Sequence, residues 1–240
     1  MGLEPISRAV LVVDVEKSSE RHDREKVELR EALYQVLHSG LEAAGLPAER
    51  YRLDDLGDGV LAVVDSEVLP LLDPLLEVAV DGLARFNARR DPVSWLRLRF
   101  GVHFGLIARD AHGWVGDDVT TAFRIVNGEG VKSVLRAAAR AQSVVVVSDA
   151  VYRSVVRPGY RGLRAASYRQ IHDGGRQVWV RVPGYAEPPV PAEDARPPAP
   201  VALAAEQAAK SISISTANGN VFTADTIGHV DARTGLGGAP

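Results

Sequence analysis

The sequence predicts an α+β domain, a mixed sheet with helices packed against one face, followed by a tail of different composition. Three observations carry this expectation. Short β-branched runs such as Val10-Leu11-Val12-Val13 and Val144-Val145-Val146-Val147 are interspersed with amphipathic segments, without the strict βαβα alternation of a parallel doubly wound sheet. The segment Arg52-Leu53-Asp54-Asp55-Leu56-Gly57-Asp58-Gly59-Val60-Leu61 reads as a hairpin, which joins antiparallel neighbours. After Tyr185 the chain turns rich in Pro and Ala, a composition that favours extended linkers over packed structure.

The elements follow in order. Residues 10–14 form a buried-type strand that runs directly into Asp14. Over 23–44, Val27, Leu33, Val36, Leu37 and Leu41 recur at helical spacing with charges between them, and Gly45-Leu46-Pro47 stops the helix. A hairpin spans 51–64 with Gly57-Asp58-Gly59 near its turn. Residues 67–87 read as a second helix, with Pro70 near its start and Pro74 in its first turns. Leu96, Leu98, Phe100, Val102, Phe104 and Leu106 alternate with charged or small residues, which predicts a long strand with one apolar face. A turn at 110–113 leads past Gly116 into a helix over 118–139, which Asp117 and Asp118 are placed to cap. Residues 144–147 are a short buried strand, and Ser148 caps a small helix reaching 156. Strands near 166–171 and 177–182 close the domain. The domain thus covers 1–185, a Pro/Ala-rich linker 186–210, and a polar, Gly/Asn-rich tail 211–240.

Whole-chain properties narrow the chemistry. The 240 residues carry a net charge of −3, which lacks the basic excess of a nucleic-acid-binding surface. With no cysteine, thiolate nucleophiles, disulfides and zinc–thiolate sites are excluded. No apolar run approaches the roughly 20 residues of a membrane span, and no signal segment is evident, so a cytoplasmic location is expected. Asp14 closes one strand and Asp58 sits in a hairpin turn, so two strands can deliver two carboxylates to one place. Hard oxygen donors of this kind suit Mg²⁺ or Mn²⁺ bound together with substrate phosphates. His103, amid an apolar strand, reads as a hydrogen-bonded sheet histidine, Asp55 as a polar hairpin residue, and Trp114 and Trp179 as packing residues.

Four motifs in sequence resemble one family. They are Val12-Val13-Asp14-Val15-Glu16, Asp54-Asp55-Leu56-Gly57-Asp58, Arg99-Phe100-Gly101-Val102-His103-Phe104-Gly105, and Gly116-Asp117-Asp118-Val119-Thr120-Thr121-Ala122-Phe123-Arg124. Together they resemble the catalytic domain of class III nucleotidyl cyclases over about residues 7–184. The resemblance implies a ferredoxin-like sheet and a head-to-tail homodimer with composite sites between protomers. It implies that Asp14, Asp58 and the Val15 carbonyl hold two divalent ions, Mg²⁺ or Mn²⁺, and that Arg124 of the other protomer stabilises charge on the reacting phosphate. The implied substrate is a nucleoside triphosphate, the products a 3′,5′-cyclic nucleotide and pyrophosphate, and the setting signalling or phage defence.

The chain also departs from the family pattern. Thr120 stands where active members usually place a ribose-positioning Asn, and a hydroxyl lacks the two-sided hydrogen bonding of an amide. The family's phosphate-contacting lysine has its nearest counterpart in His172. At the two base-reading positions stand Asp54, a hydrogen-bond acceptor, and Gly113, which has no side chain. That pair matches neither the adenine nor the guanine set, and leaves guanine and the pyrimidines beside adenine as candidates. An alternative reading is therefore a cyclase-like pseudoenzyme that binds nucleotide or only dimerises. In it, the tail around Asn218-Gly219-Asn220-Val221-Phe222, similar to short bacterial amyloid signalling motifs, recruits a partner.

Overall fold

The computed structural model describes residues 4–191 and two short strands further on, and the chain divides into two units, Met1–Ala195 and Arg196–Pro240. In the first unit, β1 (Ile6–Val15) leads to α1 (Asp23–Ala43), the hairpin β2 (Tyr51–Asp55) and β3 (Gly59–Val64), and then α2 (Leu76–Asn87). Next come β4 (Leu98–Arg109), the two-residue β5 (Trp114–Val115), α3 (Asp117–Asn127), α4 (Glu129–Ala137) and β6 (Ser143–Ser148). A short α5 (Asp149–Val151) precedes the closing strands β7 (Arg169–Asp173) and β8 (Arg176–Arg181). Ser148 caps α5 as its sequence position predicts, its side chain accepting from the Val151 N–H.

The strands pair in the order β2-β3-β1-β4-β6-β8-β7, with β5 against the end of β4. Every pairing is antiparallel except β4 with β6. The mixed sheet is the one the sequence predicts, but helices cover both of its faces rather than one. On β1, Ala9, Leu11 and Val13 meet α1 and α2, while Val10 and Val12 belong to the cluster of α3 and α4. The physical reason lies in β1 itself. A strand apolar at every position from Ala9 to Val13 has no face there to offer to water, so both faces require cover. Each leucine that α1 inserts (Leu29, Leu33, Leu37, Leu41) contributes about 2 kcal/mol of burial.

Two predicted helices are interrupted. The one expected from 67 is helical from 69 but kinks ahead of Leu76, because Asp73 is extended (φ −152°, ψ 117°) as a residue before proline tends to be. The one expected over 118–139 breaks at Gly128 into α3 and α4. There the Asp173 carboxylate reaches in from β7 and accepts the Gly130 N–H at 2.9 Å, satisfying an otherwise free donor of the α4 first turn.

Along β4, Leu98, Phe100 and Val102 are buried, but Phe104 and Leu106 are 41% and 54% exposed. The apolar stripe read from the sequence therefore outruns the helices that cover it. Among the described residues no helix is long and apolar enough to cross a membrane. In the second unit, Ile214–Ser215 pairs antiparallel with Val221–Phe222. The rest of the expected tail, and the expected linker from 192 onward, lie outside the described residues.

Candidate functional site

Antiparallel register brings the two metal-type aspartates together. Asp14, near the end of β1, lies opposite Gly59, the first residue of β3, and the Val15 N–H donates to the Asp58 carbonyl at 3.1 Å. A Cβ on Gly59 would stand 2.3 Å from the Val13 carbonyl oxygen, so only glycine lets the hairpin approach β1 this closely. On its other side Asp14 lies opposite Arg99 of β4, whose guanidinium pairs with Asp14 Oδ2. Burial pushes the Asp14 carboxyl above its ordinary range; the Arg99 guanidinium opposes that shift and the neighbouring Asp58 charge adds to it. Asp58 is exposed, and its Oδ2 accepts from the Ser18 hydroxyl at 2.8 Å.

The donor chemistry fits a hard divalent cation. The set consists of two carboxylates of like charge beside backbone carbonyls, with Arg99 steering one of them as an outer partner. Among the described residues no cluster of three or more His, Cys, Asp or Glu offers an all-protein cage. A cation at Asp14 and Asp58 would complete its shell with water and phosphate oxygens, the usual arrangement for Mg²⁺.

Beside Asp58 opens a cavity of about 280 Å³, lined by Ser18, Ser19, Lys26 and Arg30 among others. Arg30 pairs with Asp55 and donates to the Gly57 carbonyl at 3.2 Å, and Tyr34 donates to the same Asp55 at 2.8 Å. Asp55, expected to be only a polar hairpin residue, thus ties the hairpin to α1. Asp54 lies opposite Leu61, two residues beyond Gly59 on β3, and so shares the Asp14 face of the sheet. Two strand spacings and one pleat repeat put it about 12 Å from Asp14.

Thr120 and Arg124 stand elsewhere. Both are exposed, one helical turn apart on α3, and the Thr120 hydroxyl donates back to the Gly116 carbonyl at 3.3 Å. Arg124 lines a cavity of about 300 Å³ with Asp173, Gly174 and Arg176, which shares no residue with the cavity at Asp58. Within one chain, then, the structure does not bring Arg124 and Thr120 to Asp14 and Asp58. His172 pairs with Gln177, and strand alternation turns it to the sheet face opposite Asp173 and the Arg124 cavity. Arg176, opposite Asp173, lines the Arg124 cavity, and His172 does not. Gly113 sits in the β4–β5 turn at φ +144°, where an added Cβ would meet open space.

One buried relay holds α3 in place. His103 is 6% exposed and both ring nitrogens are engaged, Nδ1 with the Ser148 hydroxyl at 2.8 Å and Nε2 with Asp118 Oδ1 at 2.9 Å. Asp118 Oδ2 accepts the Leu106 N–H at 2.6 Å. No side chain caps α3, so Asp118 bonds to the sheet rather than to its own helix, a correction of the capping role expected from sequence. A Cβ on Gly105 would lie 2.1 Å from Asp118, which explains the glycine there. Sequence reasoning missed Arg99, Lys26 and Arg30 as site residues. Arg99 lay inside a recognised motif, but its role depends on register with Asp14, and the other two read as the solvated charges of an amphipathic helix.

No family model and no curated protein sequence matches the chain. Solved structures do. The adenylate/guanylate cyclase/hydrolase from Silicibacter pomeroyi superposes with a TM-score of 0.54 at 19% identity, over 76% of this chain and 99% of that one. A bacterial light-regulated adenylyl cyclase gives 0.54 at 12% identity, over 75% of this chain and 52% of that one. A further structure of a bacterial light-regulated adenylyl cyclase gives 0.52 at 12% identity, over 73% of this chain and 90% of that one. At these identities the likeness is one of fold: the domain has the mixed α+β architecture of adenylate/guanylate cyclases.

Proposed function

We propose that this chain is a class III nucleotidyl cyclase, converting a nucleoside triphosphate to its 3′,5′-cyclic nucleotide and pyrophosphate in a site completed by a second copy of itself. The observation that carries the proposal is the juxtaposition of Asp14 and Asp58 beside a cavity bearing Lys26 and Arg30, on a fold shared with adenylate/guanylate cyclases. In the reaction the ribose 3′-oxygen bonds to the α-phosphorus and the bridge to the β-phosphate breaks. Such a transfer is mostly positioning and charge stabilisation.

Each residue has a part in this reading. Asp14 and Asp58, with the Val15 carbonyl, would hold the divalent ions. Bound there, Mg²⁺ or Mn²⁺ neutralises the triphosphate and lowers the pKa of the attacking hydroxyl. Ser18, Ser19, Lys26 and Arg30 surround the outer phosphates with donors. Asp54 accepts from the N–H edge of the base. From the second copy Arg124 supplies a guanidinium to the developing charge, joined by Arg176 across the same cavity, and Thr120 meets the ribose. Phe104 and Leu106, apolar and exposed at the end of β4, are suited to burial against that copy.

The test is a product assay on purified protein with Mn²⁺, offering ATP, GTP, CTP and UTP separately and reading products by mass spectrometry. One cyclic product, absent in Asp58→Ala, is the expected result. An unchanged rate in that variant would remove the metal-site assignment. A second reading, a cyclase-like module that binds nucleotide without turnover, draws on Thr120, whose hydroxyl is engaged by its own helix. Nucleotide binding by a folded dimer with no product from any of the four would select it.

A further inference from the structure

A third cavity, of about 520 Å³, shares no lining residue with the other two and contains three arginines from two stretches of chain: Arg161 and Arg164 of one loop, and Arg181 of β8. We propose that it is a binding site for a small phosphate-class anion, such as phosphate, pyrophosphate or a phosphate ester. This proposal does not depend on the cyclase reading.

The charge census favours an anion. Against the three guanidiniums stand two carboxylates, Asp73 and Glu77, and only one of the possible pairings forms, Arg181 with Glu77 at 2.5 Å. Arg164 is exposed and makes no ion pair among the described residues. Arg161 gives one N–H to the Asp73 carbonyl at 2.5 Å, leaving the rest of its fork unassigned. A guanidinium presents five donors in a plane, a geometry matched to phosphate oxygens.

Two further observations point the same way. Arg181 Nε is buried and has no acceptor among the described residues, the kind of orphaned donor that folded proteins seldom leave without a ligand or water. Arg161 holds φ +53°, in the left-handed region that a side-chain-bearing residue seldom adopts, and strain of this sort concentrates at ligand sites. The volume lies within the range of small-molecule sites.

The probe is inorganic pyrophosphate, titrated calorimetrically into the full chain in EDTA, so that no divalent ion supports binding at Asp14 and Asp58. Saturable one-to-one binding is expected, weakened about ten-fold or more by Arg164→Ala, which removes charge-assisted hydrogen bonds from an exposed position without touching the core. Arg164→Lys, which keeps the charge and loses the fork, should fall between. Arg89→Ala, at an exposed arginine that lines none of the three cavities, should bind pyrophosphate as the parent does. Absence of saturable binding overturns the proposal, as does binding indifferent to Arg164→Ala. Equal weakening by Arg164→Ala and Arg89→Ala would mean unspecific attraction and overturns it too.

Discussion

If one protomer supplies the carboxylates and the other Arg124, two inactive variants should rescue each other. Asp58→Ala removes a metal ligand but keeps Arg124, and Arg124→Ala does the reverse. Each forms a homodimer with no intact site, and loss of either group from a charge-stabilising site lowers the rate by about 10²-fold or more. In a mixed dimer the arithmetic changes. One site joins the intact carboxylates of the second variant to the intact Arg124 of the first, and the other site lacks both. Random exchange makes about half the dimers mixed, each with one working site of two, so an equimolar mixture should recover about a quarter of the parent rate. The number follows from the separation of the two cavities, which share no residue within a chain. The assay is cyclic product formation by mass spectrometry after subunit exchange, with mixed dimers counted by native mass spectrometry. Mixed dimers present at the expected fraction, with activity no greater than the variants alone, would refute the split-site argument.

Three further outcomes are expected. His103→Ala strands the buried Ser148 and takes a partner from the half-exposed Asp118, and should cost about 1–3 kcal/mol in urea unfolding; a loss under about 0.5 kcal/mol would deny the relay a structural role. The Tyr168 phenol, pushed up to about 12 by burial, is held neutral by the fold, so stability present below its ordinary 10.0 is lost as pH rises through the folded value. The total is about 2–3 kcal/mol, and Tyr168→Phe should flatten that alkaline fall in denaturant midpoints measured from pH 9 to about 12; an unchanged slope would contradict it. Lys26→Ala should raise KM for the triphosphate about three- to ten-fold with little change in kcat, since the proposed site gives it the outer phosphates only; steady-state kinetics showing a kcat loss instead would move Lys26 into the chemical step.

What the sequence made legible was local. A strand ending in Asp14 and a turn carrying Asp58 follow from apolar runs and turn residues, and both elements lie where those signals put them. What escaped were relations across strands. Arg99 matters because antiparallel register sets it opposite Asp14, and periodicity does not state register. His172 and Arg176 are a few residues apart, yet alternation around the β7–β8 turn puts Arg176 alone on the Arg124 side. Cover on the second sheet face was implied by the uninterrupted apolar run of β1, but which helices supply it depends on tertiary packing. The break at Gly128 follows from a carboxylate 45 residues downstream, beyond the reach of any local pattern.

The two metal-type carboxylates rest on unequal footings. Asp14 lies near the end of β1, an interior strand of the sheet whose residues from Ala9 to Val13 are at most 1% exposed, whereas Asp58 rides on an open three-residue turn between β2 and β3. The first is an anvil, its position fixed at the full cooperative stability of the domain. The second is a hammer, on a turn whose side-chain ties run to Tyr34, Arg30 and Ser18 and whose backbone joins β1 through the Val15 N–H and the Asp58 carbonyl. Adjustment to ions of different radius, or to a shifted triphosphate, falls to the hairpin, and change can accumulate there without disturbing the strand that carries the first carboxylate.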